Sequence, residues 1–264
     1  MMTRRLRLVA LVVILLAGAA HSEPVAVRHT EGVVHGFLAL RSLDGRLLAD
    51  GDLSQVASGD RVTTKLTFHF KDGSRHEETA VFSQRGTFRL LSDHVVQQGP
   101  AFPHASDITI DAAKGEVKAR RTGKDGKEEV VTARLALPAD IANGLASIVM
   151  KNIPRDRSSI KMSVVAVTTK PHLADLTITR EGEDRFSVAG SQRDAIRYRV
   201  NVRFRGASGV AATLLGKEPP DYHVWIMRGE APVFLRSEGP LYGGGPAWRI
   251  ELASPEWPRT EPRQ

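Results

Sequence analysis

The chain has 264 residues, of which 41% are hydrophobic and 25% charged, and it contains no cysteine. That balance excludes a disordered chain and fits one large β domain or two small ones. The formal charge is +7 from 37 basic and 30 acidic residues. Three of the basic residues fall within the first 22 positions, which leaves 34 bases against 30 acids, or +4, too weak a bias to indicate a nucleic-acid partner. Without cysteine there is no thiol nucleophile, no cysteine metal centre and no acylated lipoprotein cysteine.

Residues 1–22 read as a signal peptide. Arg4, Arg5 and Arg7 form a basic start, Leu8 to Leu16 an apolar core, and Ala20-His21-Ser22 a small-residue cleavage site, with the cut expected after Ser22. The uncharged run from Leu8 to Ala20 falls short of the roughly 20 residues a bilayer span needs. The expectation is therefore an exported protein, periplasmic or secreted, that is not integral to a membrane once cleaved.

The remaining chain is dominated by period-two alternation, the mark of half-buried strands. Val25 to Leu40 is a long mixed run loosened by Gly32 and Gly36, and Asp44-Gly45 signals a hairpin turn into a weaker strand from Arg46 to Val56. Val62 to Phe70 alternates cleanly, with Val62, Leu66, Phe68 and Phe70 on one face; Asp72-Gly73 then turns the chain into Arg75 to Phe82. Thr87 to Leu91, His94 to Gln97, Ile108 to Ile110, Glu116 to Arg121 and Glu129 to Leu137 continue the pattern.

Pro138 to Ile153 changes period. Ile141, Leu145, Ile148 and Val149 fall at helical spacing, Pro138 suits a first turn and Pro154 forbids continuation, so a helix is predicted over 138–153. Strands return at Ile160 to Thr169, Ala174 to Arg180 and Arg185 to Gly190, the last two separated by a charged turn, Glu181 to Asp184. Ile196 to Arg205 is the sharpest signal. Ile196, Tyr198, Val200, Val202 and Phe204 alternate with Arg197, Arg199, Asn201, Arg203 and Arg205, giving one apolar and one guanidinium face. Ser208 to Leu215 is predicted as a short helix, and Tyr222 to Met227, Pro232 to Arg236 and Ala247 to Leu252 as closing strands. No linker-like stretch interrupts residues 23–253, which predicts a single β-rich domain, followed by a Pro-rich tail at 254–264.

Chemistry-bearing candidates are few. The guanidinium face (Arg197, Arg199, Arg203, Arg205) could hold an anion, or could simply pair with acids such as Glu181, Glu183 and Asp184. Base-stacking aromatics are missing from that face, which argues against nucleic acid. None of the nine histidines stands at a recognised metal-ligand spacing, so no metal and no cofactor is expected. No Gly-x-Ser-x-Gly elbow exists, and no catalytic residue is assigned. Gly243 to Gly245 lacks the features of a phosphate loop and reads as a turn before Trp248.

Three segments, HVVQQGPAFP (94–103), LPADIANGLASIVMKNIP (137–154) and EGPLYGGGPAWRIEL (238–252), resemble those of uncharacterised exported bacterial β-sheet proteins, a domain of unknown function. Those proteins are similar in turn to the periplasmic lipoprotein-carrier half-barrel. The resemblance implies architecture and apolar-ligand handling, and transfers no catalytic residue.

The fold expected is mainly β, a large curved antiparallel sheet or open half-barrel around one central amphipathic helix. The function expected is non-catalytic: an apolar or amphipathic small molecule, such as a lipid, bound on the concave face. Its wall would be Val62, Leu66, Phe68, Tyr198, Val200, Val202, Phe204 and Trp225. The alternative is an envelope scaffold with a protein partner, and an uncharacterised enzyme comes third.

Overall fold

The computed structural model describes residues 24–123, 126–188, 191–206 and 219–253. The predicted leader, the predicted helix at Ser208 to Leu215 and the tail from Ser254 lie outside them. One antiparallel sheet of 14 strands forms the body. Its first half is β1 (Val34–Ser42), β2 (Leu47–Ser58), β3 (Arg61–Phe70), β4 (Arg75–Ser83), β5 (Arg89–Gln98), β6 (Ser106–Asp111), β7 (Glu116–Thr122) and β8 (Glu128–Arg134). A helix, α1 (Ala146–Asn152), separates these from β9 (Ser159–Val167), β10 (Pro171–Val188), β11 (Ser191–Phe204), β12 (Tyr222–Met227), β13 (Val233–Pro240) and β14 (Ala247–Leu252).

Apart from β8 and β9, each strand pairs with its neighbours in sequence, and β1 pairs with β14, so the first and last strands meet mid-sheet. The free edges are β8 and β9, the two strands flanking α1. Strand twist curls the sheet toward closure. The Arg121 guanidinium reaches the Thr168 carbonyl across the gap between the two edges. The edge of β9 is not left bare. Ile141 bridges Ser163 in parallel, Asn143 Nδ2 donates to the Val165 carbonyl (3.0 Å), and Val165 N–H donates to Asn143 Oδ1 (2.8 Å). The asparagine amide thus occupies the free backbone groups of Val165 and, with the bridge at Ser163, hinders edge-to-edge pairing there.

These bonds also correct the predicted helix. Only Ala146–Asn152 is helical, because Pro138 to Leu145 is committed to the β9 edge and Gly144 adopts φ +66°. A side chain at Gly144 would both strain that backbone and meet Ala80 Cβ at 2.5 Å. The apolar stripe behind the prediction is nevertheless real: Ile141, Leu145, Ile148 and Val149 are all buried. Two predicted strands likewise merge into one. The charged stretch at Glu181 to Asp184 is not a turn but a register shift between Arg180 and Gly182 inside the 18-residue β10.

The interior is packed at both ends of the sheet's concavity. At one end α1 docks with Val62, Phe82, Leu90, Val200 and Ile226 in the larger buried cluster. The segment from Val25 closes this end: Asn152 Oδ1 accepts the backbone N–H groups of Arg28 (2.8 Å) and His29 (2.7 Å). Lys151 Nζ pairs with Glu31 Oε1 at 2.5 Å, both side chains largely buried. At the other end Leu38, Leu40, Phe68, Phe70 and Phe102 form a second cluster, with Trp248 and Tyr242 stacked against it.

Candidate functional site

Between the two clusters the inner face is incompletely covered. Along β3 the inward positions run Val62 (0% exposed), Thr64 (9%), Leu66, Phe68 (0%) and Phe70 (8%), and only Leu66 is half-buried. The same dip recurs at the same level on the neighbouring strands. Leu53 faces Leu66, Leu66 faces Glu78, Glu78 faces Val95 and Val95 faces Ile108, each directly across the ladder and each half-buried. Direct cross-strand partners share a face, so this is one continuous band on the inside of five strands. Val95 and Ile108 belong to neither cluster. Gly36 extends the band onto β1 opposite Leu53, and a Cβ built there would meet nothing within 4 Å. The middle of the inner face is therefore mostly apolar and less covered than either end.

Polar groups border this band. Glu78 sits in it, and Asp93 lies beneath, paired across the ladder with Ala80 and 3% exposed. Glu78 Oε1 and Asp93 Oδ1 both approach the inward side of Gly144, at 3.2 and 3.3 Å from the point where a Cβ would stand. Asp93 Oδ1 has no hydrogen-bond partner among the described residues. Burial, reinforced by the charge on Glu78, pushes the Asp93 carboxyl up to about 8, and burial raises Glu78 as well. Two carboxyls this close and this dry cannot both ionise near neutrality, so the pair retains a proton. Across the interior Tyr222 of β12 has its hydroxyl raised by burial and then by the charge of Glu78.

One step further along β4, His76 is 2% exposed. Its Nδ1 lies 3.1 Å from Gln97 Nε2, which can only donate, so the proton of the neutral ring sits on Nε2, where no partner stands. Burial holds this imidazole down to about 4. Among the described residues no group of three or more His, Asp or Glu side chains converges in a metal-holding arrangement. No helix among them is long and apolar enough to cross a membrane.

The residues expected to wall a pocket fall into three sets. Val62, Phe68, Tyr198 and Val200 are fully buried in the end clusters, and Leu66, Val202 and Phe204 are inward but half-buried. Trp225 is on the opposite face. It pairs directly with Arg197 across the ladder, and its indole Nε1 donates to Asp184 Oδ2 (2.6 Å). The alternation that puts Val224 and Ile226 inside necessarily puts Trp225 outside. There it joins Ala195, Leu235 and Phe186 in a small outer cluster. An open cleft of about 410 Å³ lies beside it, with Arg236 over the Phe186 ring at 5.1 Å.

The arginine face is occupied by acids. Arg197 reaches Asp184 (3.0 Å) and Glu181 (3.5 Å), and Arg199 reaches Glu181 (3.2 Å) and Asp221 (3.6 Å). Arg205 pairs with Asp175, while Arg203 Nε donates to Asn201 Oδ1 at 3.1 Å. His223 adds a contact to Glu181 at 3.2 Å. The guanidiniums of Arg197, Arg199 and Arg205 are thus directed at carboxylates of the same chain.

Sequence reasoning assigned no site role to Glu78, Asp93, His76 or Tyr222, having weighed His76 and Asp93-His94 only as metal ligands. Glu78 and His76 share parity with Ala80 and Phe82, so the pattern of β4 did carry a signal: an acid on an apolar face. Asp93 carried none, because a register shift opposite Val81 and Phe82 inverts the alternation along β5.

No protein-family model matches the chain, and no curated protein matches it. Among solved structures, the chain is similar to a β-barrel-like protein of domain of unknown function DUF1849 from Brucella abortus, at 8% identity and a TM-score of 0.47. The match covers 85% of this chain and 98% of that one.

Proposed function

We propose that this chain is a non-catalytic, exported binding protein that holds an apolar or amphipathic small molecule inside the concavity of its sheet. The observation that carries the reading is the half-buried inner band from Gly36 through Leu53, Leu66, Glu78 and Val95 to Ile108, between two closed end clusters. Apolar walls with a few inward polar groups are the usual make-up of a small-molecule site. The basic, apolar and small-residue succession of residues 1–22 supports export, and the likeness of three segments to exported β-sheet proteins akin to a lipoprotein-carrier half-barrel points the same way.

The test fills the band. In Gly36→Phe the new side chain starts from a position where a Cβ meets nothing within 4 Å, at a glycine outside the left-handed region, and far-UV circular dichroism verifies that the fold is kept. Titration of the wild type with N-phenyl-1-naphthylamine, an uncharged apolar fluorophore, should give saturable enhancement that this variant loses at least tenfold in affinity. A wild type that shows no saturable binding, or a variant that binds equally well, overturns the proposal.

A further inference from the structure

The band is not uniformly apolar, and its one ionisable wall residue has no balancing charge. Glu78 Oε1 and Asp93 Oδ1 both face Gly144, 3.2 and 3.3 Å from the position a Cβ would take there. Neither carboxyl has a lysine or arginine partner among the described residues, whereas the buried Glu31 is held by Lys151 and the buried Asp140 accepts from Ser163 Oγ. Asp93 is 3% exposed and keeps one carboxyl oxygen without a hydrogen-bond donor among the described residues. A buried acceptor left bare is costly, and such groups are rare unless something fills them. With one proton retained the pair still carries a negative charge and unfilled acceptor oxygens, and a cationic group with several donors answers both.

From this pairing we infer that the interior site selects an amphipathic amine: an apolar body against Leu53, Leu66, Val95 and Ile108, and a primary ammonium against the Glu78 carboxyl, on the side of Asp93. The inference rests on the ligand-binding reading of the band and adds the chemistry of the head group. A fatty acid would place a third carboxylate against the pair and is disfavoured. A bare metal ion finds two protein ligands where three or four are needed. An ammonium with three donors can serve the unpartnered Asp93 oxygen and Glu78 together, and its charge offsets the one the pair carries.

The experiment compares three probes of equal chain length, decylamine, decanol and decanoate, each titrated calorimetrically below its aggregation limit into the wild type, Asp93→Asn, Glu78→Gln and the double variant. Decylamine should bind the wild type at least about tenfold tighter than decanol, the ratio that one charge-assisted hydrogen bond supplies, with decanoate weakest. Both single variants should cut that preference, and the double variant should abolish it while decanol affinity stays within about twofold. Far-UV circular dichroism verifies folding, and both substitutions keep the side-chain shape. Decanol binding as tightly as decylamine overturns the inference and leaves the apolar-ligand reading standing. A double variant that still prefers the amine also overturns it. If no probe binds, both fall.

Discussion

Stability should fall as pH rises through neutrality, and the acid pair should be the reason. In the unfolded chain Asp93 titrates near 3.8, whereas in the folded protein it is pushed up to about 8. Between those values the folded state keeps a proton that the unfolded chain has lost, so raising the pH favours unfolding, by about 1.4 kcal/mol per pH unit for one full proton. His76 acts in the opposite direction: burial holds it at about 4 against 6.5 unfolded. From pH 4 to 6.5 the unfolded chain binds a proton that the folded ring refuses, so this group adds stability as pH rises. The two slopes oppose each other up to pH 6.5. Above it only the acid slope remains, a loss of roughly 2 kcal/mol by pH 8. Glu78, also raised, deepens the fall, while Tyr222 is raised out of this range.

For a chain of this size such a loss lowers Tm by roughly 4–8 °C. Urea and thermal unfolding followed by far-UV circular dichroism, at half-unit steps from pH 4.5 to 8.5, should show a plateau that breaks downward near 6.5. Asp93→Asn should weaken the downward limb and exceed the wild type in stability at pH 8. Glu78→Gln with Asp93→Asn should flatten it. Substituting His76 with Gln should expose the acid slope below 6.5 as well. A wild type equally stable at pH 6.5 and 8.5, or an Asp93→Asn variant with an unchanged slope, would refute the reasoning.

Three further outcomes test the architecture. Lys151→Met leaves Glu31 buried without its cation and should cost about 3–5 kcal/mol, while adding Glu31→Met should recover much of it; a urea double-mutant cycle measures the coupling. Phe68→Ala empties a fully buried position in the second cluster and should cost about 3–5 kcal/mol by the same assay. Replacing Arg197 and Arg199 by Gln removes partly exposed pairs with Glu181, Asp184 and Asp221, so each should change stability by less than about 1 kcal/mol, and less still in high salt.

The fold class was legible because it rests on a rule with little context dependence: alternation fixes faces, and turn residues fix hairpins. Asp72-Gly73 and Val62 to Phe70 appear in the structure much as the pattern reads. Failures occur where the local period is real but answers to a distant partner. The stripe from Ile141 to Val149 is buried, yet half of it forms no helix because Asn143 and Ile141 are bound to β9. The charges at Glu181 to Asp184 read as a turn because nothing local announces a bulge. Trp225 was legible in principle, sharing parity with His223 and opposed to Val224, but its apolar character outweighed its position. Asp93 was not, since one extra residue in β5 turns it inward.

That bulge separates the two acid sets of this protein by kind. On the outer face, acids and arginines alternate on paired strands, so charge is neutralised locally, and an anion would have to displace Glu181 or Asp184 to reach Arg197. On the inner face the alternation supplies mostly apolar residues, and its arginines, Arg121 and Arg180, are paired with Glu129 and Glu183, so an acid carried inside by a register shift finds no lysine or arginine partner among the described residues. α1 contributes one buried cation, Lys151, and Glu31 holds it. Glu78 and Asp93, with no basic partner among the described residues, are held toward the protonated form by burial, and a proton can be exchanged for another cation that fits. Occupancy of the band and protonation of the pair should therefore be linked. If decylamine binds against the pair, its binding at pH 7 should release a proton, measurable as a dependence of the apparent binding enthalpy on buffer ionisation enthalpy. Equal enthalpies in phosphate and Tris would mean that the amine sits elsewhere.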